Sequence, residues 1–311
     1  MNNNIKGLIL IILGMFFVFT QDVLIKHTIF DASLMQILVF RGMIGILILS
    51  IYLTFKKQTI MFSSAHPYIA ILRGAIFFFG FTMFFISLSQ IGLAEATSLF
   101  FVSPFFITIY SYFILKIEIG LNRIFSIIVG FCGTLLIIKP EFNNLNIYML
   151  FPIIAAATYG LSMTLAKKTA LNDSLFQQTF HIYIGAFIGG SLISILIHNY
   201  DLNLSIFYIL DNPWVINDYQ TFGLILLISI FGSLGLLCLI GAYRIGSPII
   251  NAPAEYIHLI FAIVIGFLIF NEIPDLYSFI GIFLIVVSGI YIVFRENKRK
   301  NLIVTETTLR T

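Results

Sequence analysis

Ten apolar segments, each long enough to cross a lipid bilayer as a helix, follow one another along this chain. A spanning helix needs roughly 20 mainly apolar residues, since each adds about 1.5 Å across a hydrocarbon core of about 30 Å. The segments, numbered spans one to ten, cover 5–25, 33–54, 68–89, 94–115, 122–139, 147–167, 176–198, 221–243, 249–270 and 276–294. Of the 311 residues 59% are hydrophobic and only 10% charged, which is too apolar for a soluble domain. The sequence therefore predicts an all-α polytopic membrane protein surrounded by the lipid bilayer.

The basic residues outside the spans predict the orientation. With ten spans both termini share one side of the membrane, which we call the terminus side. Its basic residues are Lys6, Lys56, Lys57, Lys116, Arg123, Lys167, Lys168, Arg244, Arg295, Lys298, Arg299, Lys300 and Arg310. The opposite side has Lys26 and Lys139. Because Lys and Arg concentrate in cytoplasmic loops, we expect both termini, including a polar tail at 297–311, in the cytoplasm.

The first segment has a second interpretation. Lys6 precedes a compact apolar run, as in a secretory signal peptide. No small-x-small cleavage site follows the run, however, and the sequence continues with the polar and charged residues of TQDVLIKH. We therefore expect a spanning helix here.

Weak internal similarity divides the ten spans into two groups of five. With a shift of 141 residues, TQDVLIKH at Thr20 aligns with LSMTLAKK at Leu161, and Gln36 aligns with Gln177. With a shift of 154, QIGLAEA aligns with RIGSPII. Five is an odd number, so the second group must enter the membrane from the opposite side and the repeat must be inverted. Inverted repeats with a site near their interface are typical of secondary transporters, although chance similarity between apolar helices is the alternative.

Several motifs resemble the EamA family of the drug/metabolite transporter superfamily over roughly residues 7–296. The first-half motifs are DVLIK at Asp22, FRG at Arg41, LRG at Arg73, LAEATSLFFVSPF at Leu93 and VGFCGTLLIIKP at Val129. The second half ends on APAEYIHLIFAIVIGFLIFNEIPDLYSFIGIFLIVVSGIYIVFRE at Ala252. Two positions depart from the pattern: Ser98 stands where a smaller apolar residue is expected, and Ile182 stands at the repeat position of Arg41.

The resemblance implies a fold and a function. It implies ten spans in two five-helix repeats, here 5–140 and 147–296, in a bacterial inner membrane. The similar bacterial branch includes S-adenosylmethionine uptake and riboflavin import proteins. We therefore expect a secondary transporter that moves a small polar organic metabolite by alternating access, S-adenosylmethionine-like solutes being the first candidates. Riboflavin, an amino acid or a drug, moved in either direction, is the alternative, and a homodimer is left open.

Charged residues inside spans mark the candidate pathway, because a charge at the centre of a bilayer helix costs about 2.5–3.5 kcal/mol on insertion scales. Asp22 and Lys26 are four residues apart, in the favourable order for an ion pair on one helix face. Arg41 lies near mid-span, so we expect an ion pair with Asp22, Glu95 or Glu255. Arg73 is near enough to the cytoplasmic end of span three to reach the headgroups, which favours anchoring over a pathway role.

Glu95 is also explained by its place at a helix start, where the helix dipole favours a carboxylate. On span nine, Ser247, Asn251, Glu255 and His258 are spaced 4, 4 and 3 residues apart. That spacing places them on one helix face, which predicts that the stripe lines a cavity. Tyr159 and Tyr256 are candidates for amphipathic walls of the cavity.

Pro104 and Pro253 lie inside spans four and nine, where each removes a helix hydrogen bond. They are candidate gating positions, although prolines are common in spanning helices.

Other classes of protein fit less well. A membrane-embedded enzyme would need a catalytic or metal motif, and the five histidines form no HExxH and the chain has no GxSxG. A non-transporting subunit would normally carry a soluble domain. We therefore expect no enzymatic activity, no cofactor, no metal site and no nucleic-acid partner.

Overall fold

Helices make up most of the computed structural model, which describes residues 3–28, 31–55, 63–91, 93–138, 146–200 and 208–261, with 264, 276–277, 279–288 and 290–291. In chain order the helices are α1 (Asn3–Thr28), α2 (Leu34–Phe55), α3 (Pro67–Ile91), α4 (Leu93–Phe100), α5 (Ser103–Leu115), α6 (Leu121–Ile138), α7 (Leu150–Lys168), α8 (Leu175–Tyr200), α9 (Tyr208–Asp211), α10 (Tyr219–Ile245) and α11 (Pro248–Ala254). A 3₁₀ turn, Ile147–Met149, leads into α7. The predicted all-α class agrees with this architecture.

Six helical stretches are long and apolar enough to cross a membrane: Asn3–Ile25, Leu34–Phe55, Pro67–Ile91, Ile147–Lys168, Leu175–Asn199 and Tyr219–Ile245. They coincide with predicted spans one, two, three, six, seven and eight. Ser103–Leu115, Leu121–Ile137 and Phe279–Ser288 are shorter apolar helices within spans four, five and ten. The chain is thus a polytopic membrane protein.

Spans four and nine are not continuous helices, contrary to the sequence prediction. Span four is interrupted at Phe101 and Val102, which we call the first break, and span nine at Glu255 and Tyr256, the second break. Pro104 follows the first break and Pro253 precedes the second. Since proline has no N–H to donate four residues back, each weakens the helix there. Both amides of the second break bond instead three residues back, to Ala252 and Pro253.

The helices of the first five spans pack mainly against those of the last five. α1 packs on α10, α2 on α8 and α10, α3 on α7 and α8, and α5 on α7 and α11. Small residues allow the close crossings. A Cβ on Gly185 would come within 2.6 Å of the Gly74 Cα, so α3 and α8 touch backbone to backbone here. Such contacts are typical of helices in membranes, where small residues let backbones approach.

Two buried glutamines fix segments that enter helices. Near the start of α2, Gln36 donates from Nε2 to the Val215 carbonyl at 2.7 Å and accepts from the Val215 N–H at 2.8 Å. Near the start of α8, Gln177 donates from Nε2 to the Ser63 carbonyl at 2.5 Å. Val215 precedes α10 and Ser63 precedes α3, so the two contacts lie at opposite ends of the helix bundle.

The first of these two ends also carries a helix cap. Asp218 accepts hydrogen bonds from the Gln220 and Thr221 amides and caps α10. The Thr221 hydroxyl also donates to this carboxylate and, together with the amides, lowers the pKa of Asp218.

The α3–α8 crossing gives a stability prediction. Gly185→Ala forces a methyl group into the Gly74 backbone, so we expect a loss of about 1–3 kcal/mol, as for overpacked cores. Thermal unfolding of the detergent-purified protein measures it. Gly223→Ala is the matched control, because a Cβ at Gly223 meets nothing within 4 Å. Equal melting temperatures for the two variants would contradict the close crossing.

Candidate functional site

A cavity of about 140 Å³ lies among helices α1, α2, α3, α4, α7 and α10 and the two breaks. Its wall is largely aromatic and includes Phe77, Phe81, Phe84, Phe85, Phe100 and Phe101. The wall also contains the charged side chains of Asp22, Arg41 and Glu255, the imidazole of His258 and the amide of Gln21. Most of the lining residues lie near the middle of their helices, the depth at which transporters bind solutes.

Arg41 is 4% exposed and carries its charge into this apolar wall. Its Nη1 donates to Gln21 Oε1 at 2.5 Å and its Nη2 to the Gly232 carbonyl at 3.1 Å. The guanidinium carbon lies 5.3 Å from the Phe77 ring centroid and 4.7 Å from that of Phe81. These cation–π contacts partly replace the lost hydration of the guanidinium.

Neither Asp22 nor Glu255 forms the expected ion pair with Arg41, and the side chain of Glu95, the third candidate, lies outside the described part of the chain. Instead Gln21 lies between the charges: it accepts from Arg41 and donates from Nε2 to Asp22 Oδ1 at 3.0 Å. Gly232 makes room for this bridge, because a Cβ there would come within 2.1 Å of Gln21 Oε1. The amide links Arg41 to Asp22 without letting the two neutralise each other directly.

Asp22 also contacts the other half of the chain. Its Oδ2 lies 3.3 Å from His258 Nε2, just beyond the second break. The His258 ring lies edge-on to Phe19 and Phe101, with centroids 5.5 and 5.9 Å away. One wall of the cavity is thus closed by an acid and an imidazole from α1 and span nine.

Glu255 is 2% exposed and lies in the second break itself. Its Oε1 accepts two hydroxyl hydrogen bonds, from Tyr159 of α7 and Tyr243 of α10, each at 2.6 Å. Among the described residues Oε2 accepts none, and the side chain lines the cavity. One carboxylate oxygen is thus fixed by two tyrosines, and the other is left without a hydrogen bond from the described residues.

The two breaks touch each other. The Tyr256 hydroxyl donates to the Phe101 carbonyl at 3.4 Å, and the two rings are 5.7 Å apart. Interrupted helices expose polar backbone, which is tolerated at membrane depth only where protein or a cavity covers it. The contact therefore places irregular backbone from both halves beside Glu255 and His258.

The structure brings five of the predicted pathway residues to the cavity wall: Asp22, Arg41, Tyr159, Glu255 and His258. The predicted stripe on span nine is interrupted, because the helix ends at Ala254. Only Glu255 and His258 of that stripe reach the cavity. Asn251 donates instead to the Ala242 carbonyl at 2.8 Å.

Other predicted residues lie elsewhere. Arg73 is 1% exposed and donates to the Gln178 carbonyl at 3.5 Å, so its guanidinium is buried between α3 and α8 and does not reach the headgroups. Tyr256 is fully buried behind the cavity wall. The side chains of Lys26 and Glu95 lie outside the described part of the chain.

Sequence reasoning missed three contributors. Gln21 is adjacent to Asp22 and carries no charge, so an inspection of intramembrane charges passes over it. Tyr243 is one of 14 tyrosines, and Gly232 has no side chain that could indicate a site. A signal for Gln21 did exist, since an amide inside a span needs a hydrogen-bonding partner.

Comparison with known proteins identifies the family. The model of the EamA-like transporter family matches residues 5–139 and again 146–295. This chain therefore belongs to the EamA-like transporter family. An S-adenosylmethionine uptake transporter from Rickettsia bellii is 27% identical over 82% of this chain and 81% of its own length.

Other relatives carry different names. The pseudopaline exporter CntI from Pseudomonas aeruginosa strain PAO1 is 25% identical over 92% of this chain and 95% of its own. A riboflavin transporter from Brucella anthropi is 21% identical, with coverage of 81% and 85%. A solved crystal structure matches with a TM-score of 0.76, 12% identity and coverage of 95% and 99%, which shows a shared fold alone.

The Gln21 bridge gives a test on a single helix. In Gly232→Ala the new methyl group meets the flexible end of Gln21, so we expect the amide to leave Arg41 and Asp22 while the fold persists. The rate of solute uptake should fall by about fivefold or more, because one charge-assisted hydrogen bond is lost. The melting temperature should stay nearly unchanged. Gly223→Ala, also on α10, is the control. Normal uptake by Gly232→Ala would show that the bridge is dispensable.

Proposed function

We propose that this EamA-like chain is a secondary transporter that moves a small polar organic solute with a positive charge through the central cavity. The carrying observation is the cavity itself, where Asp22, Arg41 and a free oxygen of Glu255 line a space walled by phenylalanines. Charged side chains that face a cavity inside the membrane are typical of solute and ion pathways.

S-adenosylmethionine is the first candidate solute. It combines a flat purine, which phenylalanine rings can stack against, with a sulfonium cation, which carboxylates and aromatic faces attract. Its ammonium and carboxylate groups also match the separated charges of Asp22 and Arg41. The name of the Rickettsia bellii relative supports this choice. The name of the Brucella anthropi relative and the same aromatic wall favour riboflavin as the second candidate.

Two inverted five-helix repeats, 5–140 and 147–296, are the proposed frame for alternating access. Packing supports the symmetry: if the first and second sets of five spans are exchanged, α1 on α10 corresponds to α3 on α7, and α2 on α10 to α3 on α8. α1 on α11 corresponds likewise to α5 on α7. The breaks at 101–102 and 255–256 are 154 residues apart, the same shift that aligns QIGLAEA with RIGSPII.

The two glutamine contacts follow the same symmetry. Gln36 and Gln177 are 141 residues apart and occupy the starts of the corresponding helices α2 and α8. Each bonds the segment before the other half's third span, α10 or α3. We infer that the Gln177 contact helps to close the terminus side and the Gln36 contact the opposite side. The basic residues of the terminus side support the proposal that both termini lie in the cytoplasm of a bacterial inner-membrane protein.

Uptake into proteoliposomes tests the solute site. Wild-type protein should accumulate tritiated S-adenosylmethionine under an imposed proton gradient. In Glu255→Gln the uptake should fall by about tenfold or more, because the solute loses its contact with a buried charged group. The control is Glu118→Gln, which changes a carboxylate outside the helices that line the cavity. If Glu255→Gln transports normally with unchanged pH dependence, Glu255 does not belong to the site.

The glutamine contacts predict opposite effects on access. We introduce Ser162→Cys, which lines the cavity, into protein without Cys132 and Cys238, and label it with an impermeant maleimide from either side. Gln177→Leu should raise labelling from the terminus side about fivefold, and Gln36→Leu from the other side, since each loses about 1 kcal/mol of hydrogen bonding. If both variants raise labelling from the same side, the two contacts are not matched gates.

A further inference from the structure

The contact between Asp22 and His258 joins the two halves of the chain at the cavity. Asp22 belongs to α1 and His258 to the segment after the second break, and their Oδ2 and Nε2 atoms are 3.3 Å apart. Among the described residues this is the only pair of an acidic oxygen and an imidazole nitrogen within ion-pair distance. The pair is therefore the place where a change of one proton acts on both halves at once.

The histidine has room for a proton on its second nitrogen. His258 Nδ1 is buried and has no hydrogen-bond partner among the described residues. In a neutral ring that donates Nε2–H to Asp22, the Nδ1 lone pair is free to accept a proton. Phe19 and Phe101 fix the plane of the ring, so Nε2 stays directed at Asp22. Protonation at Nδ1 then converts the hydrogen bond between a neutral ring and the Asp22 carboxylate into an ion pair without moving the ring.

The surrounding titratable groups have other partners. Arg41, from α2, is separated from Asp22 by the Gln21 amide. Tyr159 and Tyr243 both donate hydrogen bonds to Glu255, and Tyr256 donates to the Phe101 carbonyl. Glu95 and Lys26 have side chains outside the described part of the chain. Asp22 is thus the described acid that responds directly to the charge of His258.

We propose that Asp22 and His258 form a proton-binding site at which a proton and the positive group of the solute compete. This inference rests on the proposed transport function and specifies its coupling. When His258 takes up a proton at Nδ1, the imidazolium neutralises the negative charge of Asp22. When a solute cation reaches Asp22, the two positive charges repel and the proton leaves Nδ1 for the water in the cavity. The exchange is one proton for one positive charge, so the proton and the solute move in opposite directions.

Equilibrium binding of tritiated S-adenosylmethionine to the purified protein tests the competition. Between about pH 5 and 7, the range in which an imidazole exchanges its proton, the solute keeps its sulfonium charge. The wild-type apparent Kd should rise by up to about tenfold for each unit of acidification, because one proton leaves for each solute bound. His258→Gln keeps a side-chain N–H for Asp22 but takes up no proton, and its Kd should change less than about twofold over this range.

A control variant and a second measurement separate this site from general effects of pH. His198→Gln removes an exposed histidine of α8 and should keep the wild-type pH slope. A pH-sensitive dye should record about one proton released per solute bound by wild type at the acidic end and none by His258→Gln. A wild-type slope in His258→Gln, or proton release that survives this substitution, would overturn the proposal.

A measurement without solute distinguishes this proposal from the proposed function. If wild-type protein neither binds nor transports S-adenosylmethionine, that solute assignment fails. The proton site is then decided by NMR of protein with ¹⁵N-labelled histidine. A resonance that is absent in His258→Gln must report reversible protonation between about pH 5 and 8 in wild type. If that resonance shows no protonation change in the range, the Asp22–His258 site is excluded, whatever the solute.

Discussion

The contact between the two helix breaks is the constraint on which the site depends. Lipid supplies no hydrogen bonds, so an interrupted helix must have its free backbone groups covered by protein or by a polar cavity. Tyr256 covers the Phe101 carbonyl, and the cavity lies beside both breaks. If span nine were a continuous helix, Glu255 would lie on a regular helix face and the irregular backbone of this span would be absent from the cavity. The second break thus accounts for the position of Glu255 and His258 at the cavity.

The charges coexist because neutral groups lie between them. A buried ion pair gains from attraction but loses hydration, and an unpaired charge is costlier still. Here the Gln21 amide and the rings of Phe77 and Phe81 stabilise Arg41, while tyrosines fix one oxygen of Glu255. Satisfied polar networks of this kind rigidify their surroundings. They leave one Glu255 oxygen without a hydrogen bond among the described residues, while Asp22 contacts His258 through its Oδ2.

Much of the fold could be predicted from the sequence because hydropathy alone dictates it. A segment that is apolar on every side has one stable form in a bilayer, and the spans that contain α1, α2, α3, α7, α8 and α10 were therefore located within a few residues. Spans four and nine were wrong as single helices, because a proline inside an apolar span permits a straight, kinked or broken helix. Only packing against the other half selects the break.

The site was predictable to the extent that charge is conspicuous in an apolar chain. Asp22, Arg41, Glu255 and His258 were found for this reason, but their partners were not. Helical spacing predicted one stripe for Asn251 and Glu255, and the second break separated them. Arg73 resembled an anchoring residue by its depth, yet its side chain points between α3 and α8. Depth along a span is legible in a sequence, whereas direction around the helix depends on tertiary contacts.

The proposed repeat combines a symmetric frame with an asymmetric cavity. Under the proposed repeat, Arg41 corresponds to Ile182, Asp22 to Met163 and Glu255 to Phe101, so each charge has an apolar counterpart. In the proposed alternating access, the matching helices would let the two halves exchange conformations, because each conformation would have the same packing as the other one viewed from the opposite side of the membrane. Under the same proposal, the unmatched charges would present a solute with one fixed arrangement of groups whichever side is open. Symmetry therefore serves the movement, and its local loss serves recognition.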